Sequence, residues 1–292
     1  MKRQRKKISL VNVLLYIIMV LLAVVLLFPF FYMISKSLMT SEEVINPVPQ
    51  FFPAVPQFGN YLSLFSTNEY LLGFAYTLAI VCCNMISVPF SAGLAAFSFS
   101  KIKWKGRGLM FAVMLGTMML PGAITQVPLY SLYFSFGWID TLWPFIVPNF
   151  FGGGAVYIFL LTQFMRGIPK DMDNAAKIDG AGTFEKFKSI TIPYLISINF
   201  PLCKAVLIYV IVNVFLAYWG DYYGPLMYMH SSSAPKTFAL VLFEKAMDTD
   251  SAMDMANIRM AGGVFMSVFP ALLFAVFQKQ LIDGVMIGSV KG

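Results

Sequence analysis

Histidine is almost missing from this sequence, and charge is scarce. The single histidine, His230, excludes any site built on two imidazoles, and charged residues make up only 12% of the 292 positions. The three cysteines are an adjacent pair, Cys82 and Cys83, and a distant Cys203. Neighbouring cysteines rarely bridge and none has metal-ligand spacing, so all three read as small apolar packing residues. Gly152, Gly153 and Gly154 form a glycine run that lacks the Lys and Ser or Thr of a Walker A loop, so it holds no phosphate. Glycine there suits the close approach of helices instead. The residues thus offer neither a catalytic constellation nor a metal set.

What is present is apolar. Hydrophobic residues reach 59%, well above a soluble domain of similar length. About twenty apolar residues in a row are needed to cross a bilayer as a helix. Six segments qualify: Val11 to Ser35, Leu71 to Phe99, Leu109 to Val127, Leu142 to Met165, Tyr194 to Ala217, and Met260 to Phe277. The expectation is an all-α integral membrane protein with six transmembrane helices, organised as a basic tail over 1–10 and a single membrane domain over 11–292. The apolar core after the basic start is longer than that of a secretory leader and is followed by no small-residue cleavage site, so it reads as a retained span.

Lysine and arginine set the orientation, because they accumulate in cytoplasmic loops. Lys2, Arg3, Arg5, Lys6 and Lys7 precede the first span; Lys101, Lys103, Lys105 and Arg107 follow the second; Arg166, Lys170, Lys177, Lys186 and Lys188 follow the fourth; Lys279 and Lys291 follow the sixth. Both termini and the segment of about 167–193 are therefore expected in the cytoplasm, and a loop of about 220–259 outside. The net charge of +7 is spread as short flanks of apolar helices, which anionic lipid headgroups attract; nucleic acid is not the expected partner. A lone external His230 reads as a solvated residue.

The cytoplasmic segment between spans four and five carries the most information. Pro169 suits the first turn of a helix, with Asp171 and Asp173 offsetting the positive end of its dipole. Gly180 fits the left-handed position just past a helix end. A second helix from about Thr183 would place Phe184, Phe187 and Ile190 on one face, and Pro193 discourages its continuation. Taken alone, the segment could be an ordinary helical hairpin on the membrane surface. Its spacing, however, runs Asn174, Ala175, Ala176, three residues, Gly180, nine residues, Ile190, Thr191, Ile192, Pro193. That pattern resembles the EAA loop of ATP-binding-cassette importer permeases, with Asn174 in place of the usual Glu and Ile192 in place of the usual Leu.

The resemblance extends along nearly the whole chain and is closest to the carbohydrate, maltose-type permeases. Ala95 to Lys101 with the basic turn Lys103 to Arg107, the turn Gly137 to Trp143, and the tail Gly284 to Gly292 all look like stretches of that family. It implies a coupling helix docked on an ATPase, formed by Asp173, Asn174, Ala175, Ala176, Asp179, Gly180, Phe184, Phe187, Ile190 and Pro193. It also implies a second homologous permease subunit, two ATPase subunits that carry the ATP and Mg, an extracytoplasmic solute-binding protein, and a prokaryotic cell membrane as the location. The chain itself would hold no cofactor and hydrolyse nothing. Tyr218, Trp219, Asp221, Tyr222 and Tyr223 resemble the family's aromatic segment at the outer end of span five, with Gly220 in place of Asn. Such residues can stack on and hydrogen-bond to a sugar, or they can form an interfacial aromatic belt. Residues 229–256 would meet the binding protein, or form a solvated loop; Phe238, Leu240, Leu242 and Phe243 argue against disorder there.

Pro29, Pro89, Pro121, Pro128, Pro144, Pro148 and Pro201 in or near spans suit kinked helices around a cavity. An ion-coupled transporter or channel would call for acids or histidines inside the spans, where the sequence places Lys204 and, at the margin, Asp221. An importer of a non-sugar solute would share the same coupling loop. Replacing Gly180 by Val is expected to abolish ATPase docking while leaving membrane insertion intact. Co-purification of the ATPase with the variant at the parent's level would remove the coupling role from this loop.

Overall fold

The computed structural model describes residues 10–168, 200–248 and 255–289. The described residues are helical with turns, and they cluster into two compact units. One contains the described residues up to Asn68 and from Leu242 to Val268; the other contains Glu69 to Val241 and Phe269 onward.

In the first unit, α1 (Leu10–Ser37) is an unbroken apolar helix, exposed along most of its length. Only its last turn is buried, through Ser35, Lys36 and Ser37. Phe28, Phe31 and Tyr32 meet the rings of Phe51 and Phe52 there. Lys36 is 3% exposed. Its ammonium donates to the carbonyls of Glu43 (3.2 Å) and Val44 (3.4 Å), at the C-terminal end of α2 (Ser41–Ile45), where helix carbonyls favour a cation. Thr40 and Glu43 close the start of α2 with a reciprocal capping box. Beyond it, α3 (Gly59–Ser66) contributes Asn60, whose amide donates to the carbonyls of Ser37 and Met39. Asn257 then donates to Asn60 Oδ1 and accepts from Ser41 Oγ.

The second unit is built on α4 (Asn68–Lys101), α5 (Arg107–Thr117), α6 (Gly122–Ser135), α7 (Trp143–Ile146), α8 (Ala155–Arg166) and α9 (Lys204–Trp219). Two short helices follow, α10 (Tyr223–Tyr228) and α11 (Phe238–Met247). The last helix, α12 (Ala256–Ser289), contributes residues to both units, as does α11. The core is a seam of residues spaced four apart: Val88, Ala92 and Ala96 of α4, Leu161 and Met165 of α8, and Val206, Val210 and Val214 of α9. Small and β-branched side chains at i and i+4 let three helices lie close where no water drives them together.

Among the described residues, four stretches are long and apolar enough to span a membrane: Leu10–Ser37, Asn68–Lys101, Trp143–Arg166 and Ala256–Ile282. The expected third span differs from a continuous helix over 109–127. Helices α5 and α6 meet at 100° across Met118–Pro121. Pro121 has extended backbone angles, lacks an N–H to continue the ladder, and disfavours helix at Leu120. The described part of the fifth is a short helical turn over Phe200–Leu202 followed by the 16-residue α9, which ends two residues beyond the expected 217; 194–199 lie outside the described residues. The fourth is interrupted by a 3-10 turn over Val147–Phe151 and by Gly152, Gly153 and Gly154, all at positive φ.

The glycine run gives the close approach anticipated for it. A Cβ on Gly153, whose φ is +61°, would come within 2.5 Å of both Val88 methyl carbons. A Gly153→Ala substitution combines a left-handed alanine with this clash and is expected to cost about 1–3 kcal/mol. A lowered melting temperature of the purified variant in detergent, partly restored by Val88→Ala, would show it.

Candidate functional site

A broken helix inside a bilayer frees backbone groups that lipid cannot satisfy. Here α4 supplies the missing partners. Asn84, fully buried midway along α4, donates from its amide to the Phe145 carbonyl at 2.9 Å. Asn149, in the 3-10 turn, donates to the same carbonyl (2.8 Å), to Asn84 Oδ1 (3.0 Å) and to the Tyr218 hydroxyl (2.6 Å). Two turns further along α4, Ser91 Oγ donates to the Asn149 carbonyl (3.0 Å) and accepts the Gly152 N–H (3.1 Å). A continuous polar network therefore joins α4, the interrupted fourth segment and the end of α9.

From that network the chain leads into the segment whose aromatics are candidate pathway residues. Tyr218 is half-buried and points into the network through its hydroxyl. Trp219 is 2% exposed, stacked on Phe215 at 5.1 Å and flanked by Phe74 and Phe269. It is thus held in the packing, apart from the other candidates. Asp221 is half-buried, and its Oδ1 accepts the Gly224 N–H at 3.0 Å near the start of α10. Burial pushes its carboxyl above the usual carboxylate range, and the N–H groups of Gly224 and Tyr223 partly offset this. Tyr222 and Tyr223 are exposed. The Tyr223 hydroxyl donates to Gln126 Oε1 of α6 at 3.4 Å, which brings a polar side chain of the bent pair beside this segment.

A second polar joint lies at the turn Gly137–Trp143. Asp140 adopts φ 60°, and its Oδ1 accepts the N–H groups of His230 (2.6 Å) and Ser231 (3.0 Å), while its own N–H donates to the Tyr228 carbonyl (2.8 Å). Tyr133, Trp138 and Tyr228 pack their rings beside it. Farther on, Thr77 Oγ1 accepts the Phe238 N–H at 3.0 Å, seating the start of α11 on α4. A Cβ on Gly73 would stand only 3.1 Å from Phe238 Cα. Phe238 and Leu240 are fully buried, in keeping with a folded rather than disordered segment.

Sequence reasoning missed Asn84, Ser91, Asn149, Gln126 and Asp140. An amide inside an apolar run was a usable signal for Asn84 and Asn149; nothing local marks the reach of Asp140 to residues 230 and 231. The coupling-loop candidates Asp173, Asn174, Ala175, Ala176, Asp179, Gly180, Phe184, Phe187, Ile190 and Pro193 lie outside the described residues.

No family model matches the sequence. Curated proteins do match it along nearly its whole length. The arabinooligosaccharides transport system permease protein AraQ of Bacillus subtilis (strain 168) is 26% identical over 295 residues, covering 100% of both chains. The lactose transport system permease protein LacG of Rhizobium radiobacter is 27% identical over 277 residues, 94% of this chain and 95% of that one. The maltodextrin transport system permease protein MdxG of Bacillus subtilis (strain 168) is 24% identical, with 95% of each covered. Among solved structures, a chain from the crystal structure of a bacterial ABC transporter involved in the import of the acidic polysaccharide alginate aligns with a TM-score of 0.77 and 18% identity. That alignment covers 94% of this chain and 99% of the other, so the two share a fold.

Replacing Asn149 by Ala leaves the Phe145 carbonyl with one donor fewer and the Tyr218 hydroxyl without its amide. An intramembrane hydrogen bond averages about 0.6 kcal/mol and reaches about 1.7, so the variant is expected to lose about 1–2 kcal/mol. Tyr218→Phe should lose less. Thermal unfolding of the two variants in one detergent checks the order.

Proposed function

We propose that this multi-pass membrane protein, a relative of the carbohydrate ABC-transporter permeases, is the membrane-spanning permease subunit of an ATP-driven sugar importer. The observation that carries the reading is similarity over the full length to permease proteins of several sugar transport systems. The solute is a sugar, with an oligosaccharide favoured by the names those relatives carry. An extracytoplasmic binding protein delivers it, and separate ATPase subunits hydrolyse ATP with Mg. The chain has six spans with both termini in the cytoplasm of a prokaryote, and it pairs with a second homologous permease subunit.

In this reading the loop of about 167–193 docks on the ATPase and transmits its closure as a rigid-body movement. The polar network of Asn84, Asn149 and Tyr218 gives the moving segments a fixed joint near the outer end of span five. Tyr218, Asp221, Tyr222 and Tyr223 then lie where a sugar could meet ring faces and a carboxylate. Both carboxylate and rings are usable by a polyol: hydroxyls donate to the carboxylate, and C–H faces lie on the electron-rich ring.

Affinity purification of the tagged chain in mild detergent tests the assignment. An ATPase and a second permease are expected to co-purify, and uptake in reconstituted vesicles should follow ATP supply. Recovery of the chain only as its own oligomer, with uptake collapsed by a proton ionophore and indifferent to ATP, would replace this reading with an ion-coupled one.

A further inference from the structure

A depression of about 380 Å³ opens beside the Asp140 turn, lined by Asp140, Thr141, Leu142, Trp143, Ile146 and Pro235. Its size falls in the range of about 300–1,000 Å³ typical of small-molecule sites. We propose that it is a subsite for one pyranose ring of a sugar, a role that rests on the sugar-import reading above and lies outside the Tyr218–Tyr223 segment.

Trp143 supplies the stacking surface. Its side chain is 54% exposed, so an indole face remains available at the rim. An aromatic face is electron-rich, and the polarised C–H hydrogens of a pyranose face complement it. Leu142, Ile146 and Pro235 extend the apolar contact. Asp140 supplies the acceptor: both backbone N–H bonds fall on Oδ1, so Oδ2 keeps its capacity for sugar hydroxyls.

The site is preorganised. Asp140 is held at φ 60° by three hydrogen bonds, with its own N–H bonded to Tyr228 and its carboxylate to residues 230 and 231. Thr141 Oγ1 donates to the Trp138 carbonyl (2.6 Å) and accepts the Trp143 N–H (3.3 Å), which fixes the backbone under the indole. A ligand meeting such a turn spends little of its binding on ordering it. The simplest alternative is an interfacial tryptophan resting among lipid headgroups; the carboxylate beside the indole adds an acceptor for neutral hydroxyls that such an anchor does not require.

The full-length chain, in lipid nanodiscs with the subunits that co-purify and without binding protein, is titrated with maltotriose, lactose and galactotriose by saturation-transfer difference NMR. Uptake of the same sugars is measured in parallel in reconstituted vesicles. At least one transported sugar is expected to receive saturation from the parent and from Trp143→Phe, and to bind Trp143→Ala about tenfold more weakly, as for loss of a central aromatic anchor. Equal binding to parent and Trp143→Ala, or transport of a sugar that shows no saturation transfer with the parent, overturns the subsite and leaves the sugar reading standing. If none of the sugars is taken up while another solute is, the sugar reading fails and the subsite fails with it.

Discussion

The structure depends on one buried amide. Asn149 sits where the fourth apolar segment stops being an α-helix, and its side chain reaches the Phe145 carbonyl, Asn84 and Tyr218 at once. Without water, each freed backbone group in such a segment needs a partner of its own. Asn84 and Ser91 of the long α4 provide those partners. The interruption is thereby a defined joint, and the glycines after it can bring the chain against Val88.

This joint also explains the asymmetry of the candidate segment. Tyr218 faces inward, its hydroxyl within hydrogen-bond reach of the Asn149 amide, and Trp219, one residue later, falls among Phe74, Phe215 and Phe269. Once the helix ends, Asp221 turns back to the Gly224 N–H, leaving Tyr222 and Tyr223 exposed. The aromatics are alike in type, but the first two are packed and the last two exposed, and only the contacts tell them apart.

Much of the helical layout was legible because it depends on run length. Val11 to Ser35, Leu71 to Phe99 and Met260 to Phe277 each fall within one long helix. The third segment was less so: Pro121 announces a break, yet a bend of 100° depends on what α5 and α6 pack against. The site was legible only in part. Asn84 and Asn149 are 65 positions apart and Asp140 and Ser231 are 91 apart, so no local window holds either pair. The candidate coupling loop is the opposite case, a pattern complete within twenty residues of sequence that lies outside the described residues.

Helix α1 has a consequence of its own. From Val11 to Ile34 a stretch of 24 residues, apolar but for Asn12, makes a rod about 36 Å long at 1.5 Å per residue, against a hydrocarbon layer of about 30 Å. Its C-terminal turns pack through Phe28, Phe31 and Tyr32 on Phe51 and Phe52, while positions 10–27 are exposed among the described residues. The excess of about 6 Å is a hydrophobic mismatch that tilting, kinking or local thickening of the bilayer accommodates at a fraction of a kcal/mol per Å. The rod is thus longer than the layer it would cross, and its Lys36 end is where this chain anchors it.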